Sequence, residues 1–400
     1  MKEKNMGRKI TGIYFSIIMV LFFYSSYGIT AEKYSDGSEE KEKEILNRLQ
    51  ELTKSEKLTI EGLGYIRYWY EIQDGNDETE GENEPRKNSF ELWRFYAGLK
   101  STLSSWLRLR FTIDVGPEKE QTTSENQGHT HKVQGENSYQ LFVKYAWIDF
   151  MIAQGLNIRA GILEFPLHEF IDNLWGYRFV AKNAGEENGL WSSADLGAYL
   201  GFEIPDGIGS LKVGVANGAG YKNALDVDSA KELWVYMMFS PLKPVTRFLE
   251  NFQIGGTAKI TLDFEDSVDR FVVLSPFVGF SNKWFMVGYH TLIRFSRLVK
   301  DEEDFLGIGH GVYFSIRSPW KIGIFGQFNN WKPNKDIATE ETFYEVITGM
   351  SYSPASFFSI ALSCFLKWQD IKDNPSTPDV IEEASDEKLT RIMLSSQIKF

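Results

Sequence analysis

The chain lacks the residues that many soluble enzymes and membrane proteins depend on. It has one cysteine, Cys364, so no disulfide can form within it. Its five histidines offer little material for metal or acid–base sites. After residue 28 no apolar run approaches the ~20 residues of a spanning helix, which argues against a helical membrane protein. The net charge of −12 makes it a poor nucleic-acid binder, so no nucleic-acid partner is expected.

What is present begins with a secretion signal. Residues 1–31 combine four early basic residues with an apolar stretch at 13–24, followed by small residues that suit cleavage after Gly28 or Ala31. The alternative interpretation is a permanent membrane anchor. Cleavage after Ala31 removes four basic residues and one acidic residue, which changes the net charge from −12 to −15.

The last twelve residues, LTRIMLSSQIKF, alternate with a period of two and end on Phe400. One face is mostly apolar and the other mostly polar, which is typical of a strand. Chain ends usually fray, so an aromatic strand running to the terminus is unusual for a soluble domain. A closed barrel in lipid explains it, because an open edge would leave backbone groups unsatisfied in hydrocarbon.

The same alternation recurs along the chain from Lys57. It predicts sixteen strands at 57–72, 89–100, 105–116, 138–151, 156–164, 191–204, 209–217, 231–240, 251–264, 270–281, 283–295, 305–317, 320–331, 340–353, 356–369 and 387–400. Each of these strands has the ~9–11 residues or more that a tilted spanning strand requires.

The connections alternate between long polar loops and short turns. Residues 73–88, 117–137, 165–190, 218–230 and 370–386 are long, whereas 101–104, 152–155, 205–208 and 354–355 are short. The dipeptide Ser-Pro marks three predicted strand ends, at 240–241, 318–319 and 353–354. Loop lengths sorted by strand parity are typical of outer-membrane barrels.

These patterns predict an all-β protein whose residues 57–400 form a 16-stranded antiparallel transmembrane β-barrel. Its location would be the outer membrane of a Gram-negative-type bacterium. Residues 32–56 are highly charged, with a thin apolar stripe at Ile45, Leu49 and Leu52. They predict a short periplasmic helix or coiled coil, and a solvated linker helix is the alternative.

Four stretches of the predicted fifth to eighth strands resemble the phosphate-selective porin O and P family. They are residues 157–166 (NIRAGILEFP), 193–201 (SADLGAYLG), 213–223 (VGVANGAGYKN) and 234–241 (WVYMMFSP). The resemblance implies a 16-stranded porin that assembles as a homotrimer. It implies phosphate selectivity through basic residues in the pore. It also implies that the loop after the fifth strand folds into the lumen, and that the barrel-assembly machinery reads the terminal Phe.

Residues 165–190 are accordingly predicted to be the constriction loop. The segment is unusually apolar for a surface loop, which indicates burial against other parts of the chain. The alternative is an ordinary extracellular loop packed on its neighbours or on the trimer axis. Polar groups are interleaved, and the candidates for selectivity here are Glu164, Asp172, Arg178 and Lys182.

Basic residues occupy the polar face of several strands. A guanidinium facing lipid near the midplane would cost ~2–4 kcal/mol, so these side chains are expected in the lumen. They favour anions if unpaired, and they only brace the wall if paired with acids. The candidate pore-lining residues are Arg67, Arg94, Arg108, Arg110, Arg159 and Lys259.

The predicted function is passive diffusion of small hydrophilic solutes, with mild anion preference as a hypothesis. Six glycines on inner faces (Gly98, Gly197, Gly201, Gly255, Gly307 and Gly323) are expected to keep the lumen open. The alternative is a non-conducting barrel with a structural, adhesive or lipopolysaccharide-binding role, to which the acidic loop at 73–88 would contribute through divalent cations. No enzyme, cofactor or metal is predicted, because only a weak Ser/His possibility (His290 or His310 with Ser315) exists.

Overall fold

The computed structural model describes residues 58–72, 88–117, 139–223, 230–245, 249–263, 270–297, 304–335, 342–370 and 388–400. The predicted signal peptide and the helix at 32–56 lie outside these ranges, as do most of the long loops. No helix in the described ranges is long and apolar enough to cross a membrane.

The described chain forms one closed antiparallel barrel of sixteen strands, which confirms the predicted fold class. Neighbouring strands follow chain order, and β1 pairs with β16. The strands are β1 (Leu58–Ile72), β2 (Asn88–Ser104), β3 (Leu107–Pro117), β4 (Tyr139–Ala153), β5 (Leu156–Glu164), β6 (Ala194–Ile204), β7 (Gly209–Ala216), β8 (Lys231–Phe239), β9 (Phe252–Leu262), β10 (Arg270–Ser281), β11 (Phe285–Arg297), β12 (Asp304–Arg317), β13 (Ile322–Lys332), β14 (Thr342–Ala355), β15 (Phe358–Asp370) and β16 (Lys388–Lys399).

The terminal strand closes the barrel against the first. The pairing runs from Leu63 opposite Lys399 to Ile72 opposite Thr390. Beyond it, Phe400 and Gly62 exchange two backbone hydrogen bonds of 2.9 and 3.0 Å. A Cβ at position 62 would lie 1.8 Å from the Phe400 ring, so any larger residue there would require that ring to move. Closure therefore satisfies the backbone at the edge that lipid would otherwise expose.

The outer face carries a continuous apolar surface. Large hydrophobic side chains at alternate positions stay exposed, as Leu196 and Leu200 do in β6. Exposed aromatics lie at the short turns, where Trp106, Trp284, Trp320 and Phe357 are 43–77% exposed. An apolar band bordered by aromatic rings is how such barrels meet the membrane and its interface.

The Ser-Pro dipeptides mark strand ends less regularly than expected. The first two follow β8 and β12 directly. The third, Ser353-Pro354, lies inside β14, where the pairing with β15 shifts between Tyr352 and Ala355. Proline is accommodated there because the ladder hydrogen bond is already interrupted.

Candidate functional site

Between β5 and β6 the chain forms a folded segment, residues 165–193, which we call the inner segment. It contains helix α1 (Pro166–Trp175) and helix α2 (Ala184–Glu187). Proline at the first position of α1 suits a helix start, and Gly176 ends the helix in a left-handed conformation with φ 77°. Leu167, Ile171 and Trp175 form one face of α1 and are at most 1% exposed.

The inner segment contacts the wall opposite the strand from which it starts. The Tyr177 ring stacks on Phe325 of β13 at 4.1 Å, and its hydroxyl lies 3.0 Å from Ser351 Oγ of β14. The backbone N–H of Ala184 donates to the Tyr313 hydroxyl of β12 at 2.8 Å. Since β5 and β13 are eight strands apart in a ring of sixteen, these contacts join opposite sides of the barrel.

A third attachment is to β1. The Arg67 guanidinium donates to the carbonyl of Phe179 at 3.2 Å and also to that of Val180. The same guanidinium stacks over the Trp93 ring. Hydrogen bonds from a charged donor are among the stronger ones, so Arg67 holds the inner segment in register with the wall. Arg67 itself is 9% exposed.

The inner glycines do not leave the open space that the sequence led us to expect. A Cβ on Gly307 would lie 2.7 Å from the Trp331 ring, and one on Gly323 would lie 2.9 Å from the Tyr177 hydroxyl. At Gly311 it would lie 2.2 Å from His290 Nε2. Larger neighbours or the inner segment already fill these positions, so the glycines permit close packing.

Arg108, Arg110 and Arg159 come together on β3 and β5, where they share two carboxylates. Asp149 lies 2.7 Å from Arg108 and 3.1 Å from Arg159. Glu164 pairs with Arg110, and lies 3.3 Å from Arg159. Arg110 also lies 3.7 Å from Glu61, which itself lies 2.7 Å from Lys100. The three guanidinium groups are therefore concentrated on one part of the wall, where carboxylates compensate them.

The other predicted residues are each held by a separate partner. Arg94 lies 3.6 Å from Asp114, Lys182 lies 3.5 Å from Glu187, and Lys259 pairs with Glu232. Arg178 lies 3.4 Å from Asp172 and donates to Glu186 at 2.8 Å. Most of the predicted basic residues therefore carry acid partners, as the wall-bracing alternative requires.

The Arg178 cluster perturbs two groups of the inner segment. Burial lowers the pKa of His168 although Asp172 and Glu186 oppose that effect. For Glu186, burial disfavours the carboxylate, but the Arg178 guanidinium outweighs it and holds the pKa of Glu186 well below the usual range. Both groups are therefore set in one charge state at neutral pH, which favours a fixed geometry of the segment.

Two lysines that the sequence did not single out lie over aromatic rings. Lys144 Nζ is 4.7 Å from the Tyr221 ring centroid and 5.1 Å from that of Tyr96. Lys212 Nζ is 5.6 Å from the Tyr199 centroid. Lys144 was missed because the pairing of β3 with β4 shifts between Thr112 and Ile113, which breaks the alternation that sequence reasoning relies on.

A cavity of about 440 Å³ lies between α1 and the wall formed by β1 to β4 and the end of β16. Rings and charged groups line it together, among them Tyr65, Tyr96, Tyr145, Arg110, Lys144 and Glu169. Charged and aromatic groups in one cavity suit a polar solute with an apolar body.

The two histidines of the weak Ser/His hypothesis have hydrogen-bond partners other than Ser315. His290 is fully buried, its Nδ1 lies 3.1 Å from Ser275 Oγ, and its Nε2 lies 3.1 Å from the Tyr313 hydroxyl. His310 instead lies 2.9 Å from the Tyr289 hydroxyl. Within the described ranges no group of three or more His, Cys, Asp or Glu residues is placed to hold a metal ion.

No protein-family model matches the chain, and no curated protein matches it in sequence. Solved structures match its fold. The outer-membrane protein OmpT of Vibrio cholerae, in its trimer form, is 10% identical and covers 86% of this chain and 100% of its own, with a TM-score of 0.55. The anion-selective porin of Comamonas acidovorans is 9% identical, with 86% and 99% covered and a TM-score of 0.56.

The outer-membrane channel DcaP of Acinetobacter baumannii is 10% identical, with 86% and 97% covered and a TM-score of 0.56. At such identities the likeness shows the fold alone. This chain therefore has the fold of these outer-membrane porins and channels.

Proposed function

We propose that the protein is an outer-membrane porin through which small hydrophilic solutes diffuse passively. The observation that carries the proposal is the closed sixteen-strand barrel with an apolar outer face and charged inner wall. Porin and channel folds among its structural neighbours support the same interpretation. In this proposal the inner segment is the constriction, because its contacts reach from β5 to β13 and β1.

Anion preference is the finer part of the proposal. Its support is the concentration of Arg108, Arg110 and Arg159 on one part of the inner wall, and the placement of Lys144 and Lys212 over rings. Basic groups on a pore wall favour anions. Membership in the phosphate-selective porin family is supported by the four stretches along β5 to β8.

The cellular setting is also part of the proposal, and its N-terminal part is supported by the sequence of residues 1–56. Residues 1–31 serve as a signal peptide, residues 32–56 form a periplasmic helix, and the barrel resides in the outer membrane among lipid and lipopolysaccharide. Insertion depends on the barrel-assembly machinery, and assembly as a homotrimer is supported by the trimer form of one structural neighbour.

Liposome swelling tests the diffusion of solutes. Proteoliposomes should swell in neutral sugars at rates that fall with sugar size, and a failure to swell would contradict the proposal. Reversal potentials in a KCl gradient test selectivity, and a cation preference would contradict the anion hypothesis. Arg110→Gln should shift the potential toward cations, whereas Lys283→Gln in the β10–β11 turn serves as the matched control.

A non-conducting barrel is the second candidate. It is favoured by the many wall contacts of the inner segment and by fully buried inner carboxylates, such as those of Asp114 and Asp149. Folded protein that neither swells liposomes nor conducts ions would support this role.

A further inference from the structure

The charge pairing in the cavity between α1 and the β1–β4 wall shows which of its groups remain available to a solute. Most charged groups that line it already have partners within the protein. Arg110 pairs with Glu164, Arg178 with Asp172, and Glu61 lies 2.7 Å from Lys100. Such pairs compensate one another and contribute little to the binding of an added charge.

Glu169, on α1, is the exception among the cavity acids. No residue that the structure describes lies within ion-pair distance of its carboxylate or forms a side-chain hydrogen bond with it, although Lys212, Arg110 and Arg159 act on its charge from farther away. It lines the cavity. A half-buried carboxylate without a direct ion pair favours a cationic partner, because a charge-assisted hydrogen bond would offset its desolvation.

Lys144, on β4, is a deep cation of the cavity that has no acid within ion-pair distance in the described ranges, although Asp114 and Glu186 act on its charge from farther away. Its ammonium donates to Ser193 Oγ at 2.9 Å and otherwise lies over tyrosine rings. Lys399 is a second such cation, at the exposed end of β16 where the cavity opens. The cavity thus contains one carboxylate and two ammonium groups that lack a direct ion pair with a described residue.

The tyrosine rings supply the third element. Tyr65 and Tyr96 meet edge to face at 6.0 Å, and Tyr145 lies on the adjacent wall. Aromatic faces bind flat or apolar groups at a low entropic cost. A solute that fits has an ammonium for Glu169, a carboxylate for Lys144, and an apolar body for the rings.

We propose that this cavity is a binding site for dipolar solutes of the α-amino-acid type, with Glu169 and Lys144 as its specificity-determining residues. The inference rests on the proposed function, since it names the class of solute that the pore selects. Simple anions would find only the Lys144 end of the site, and simple cations only the Glu169 end.

Calorimetric titration of the full-length folded protein in detergent micelles tests the proposal. The probes are L-phenylalanine, N-acetyl-L-phenylalanine, which keeps only the negative charge, and L-phenylalaninamide, which keeps only the positive charge. We expect L-phenylalanine to bind roughly tenfold more tightly than either derivative, because each derivative loses one charge-assisted contact.

Variants separate the two ends of the site. Glu169→Gln should weaken L-phenylalanine about tenfold and leave the N-acetyl derivative unchanged. Lys144→Met should weaken L-phenylalanine and leave the amide unchanged. Glu250→Gln, which removes a carboxylate between β8 and β9, should change neither. Thermal unfolding of each variant checks that the barrel is intact.

Equal affinities of the three probes for the wild-type protein would overturn the proposal, and so would a Glu169→Gln variant that binds L-phenylalanine normally. Bilayer conductance in KCl separates this inference from the proposed function. Conduction without probe discrimination refutes the amino-acid site alone, whereas the absence of conduction refutes the porin role whatever the calorimetry gives.

Discussion

Removal of one hydroxyl, in Tyr313→Phe, should loosen the inner segment without altering the barrel. The Tyr313 hydroxyl accepts the N–H of Ala184 and lies 3.1 Å from His290 Nε2. The side chains of Tyr313 and His290 are at most 1% exposed, so water cannot replace the lost hydrogen-bond partner. An unsatisfied buried group costs about 1–3 kcal/mol. A loss of about 2 kcal/mol corresponds to a roughly 30-fold larger open fraction of the segment.

Hydrogen exchange followed by mass spectrometry measures that fraction. Peptides from residues 176–190 should exchange faster in Tyr313→Phe, and peptides from the strands should not change. Tyr289→Phe is the matched control, because its hydroxyl bonds His310 and Thr291 on an exposed surface. Equal exchange in the two variants would refute the view that Tyr313 anchors the inner segment.

Three further predictions concern packing, pH and closure. Gly311→Leu should displace α2, because a Cβ at position 311 would lie 2.9 Å from the Cβ of Ala184 in that helix and 2.2 Å from His290 Nε2. The displacement should increase current noise in bilayers, and steady currents would argue against this packing. Burial lowers the pKa of His168, so the folded protein holds this histidine neutral. The contribution of that neutral ring to stability is complete at a pH above ~6.5, the ordinary pKa of histidine, and decreases as the pH falls below that value. The unfolding midpoint should therefore drop between pH 7.5 and 5, and less so in His168→Gln; equal drops would contradict this. Deletion of Phe400 removes its backbone hydrogen bonds to Gly62 and should lower surface levels more than conductance per channel, whereas normal levels would count against its role in closure.

The strands followed from the sequence because lipid and lumen impose alternation on each of them. The predicted bounds of β5 and β10 agree with the structure to the residue. The start of β6 was predicted at 191 and lies at Ala194. The difference arises because Trp191 is buried against Phe165, with ring centroids 5.5 Å apart, and belongs to the inner segment.

The site was less predictable because its partners are distant in sequence. Arg67 was recognised as inward-facing, yet its hydrogen bonds go to backbone carbonyls more than 110 residues away. Lys144 was missed because a local shift in strand pairing interrupts the alternation. Glycine at position 311 could not reveal that His290 and Ala184 occupy the space beside it.

Single-channel recording of the wild-type protein in planar bilayers tests the central claim most directly. A barrel whose lumen is narrowed but not sealed by the inner segment should give discrete, repeated current steps in KCl. A flat baseline from protein that has been shown to be folded and inserted would contradict the porin account.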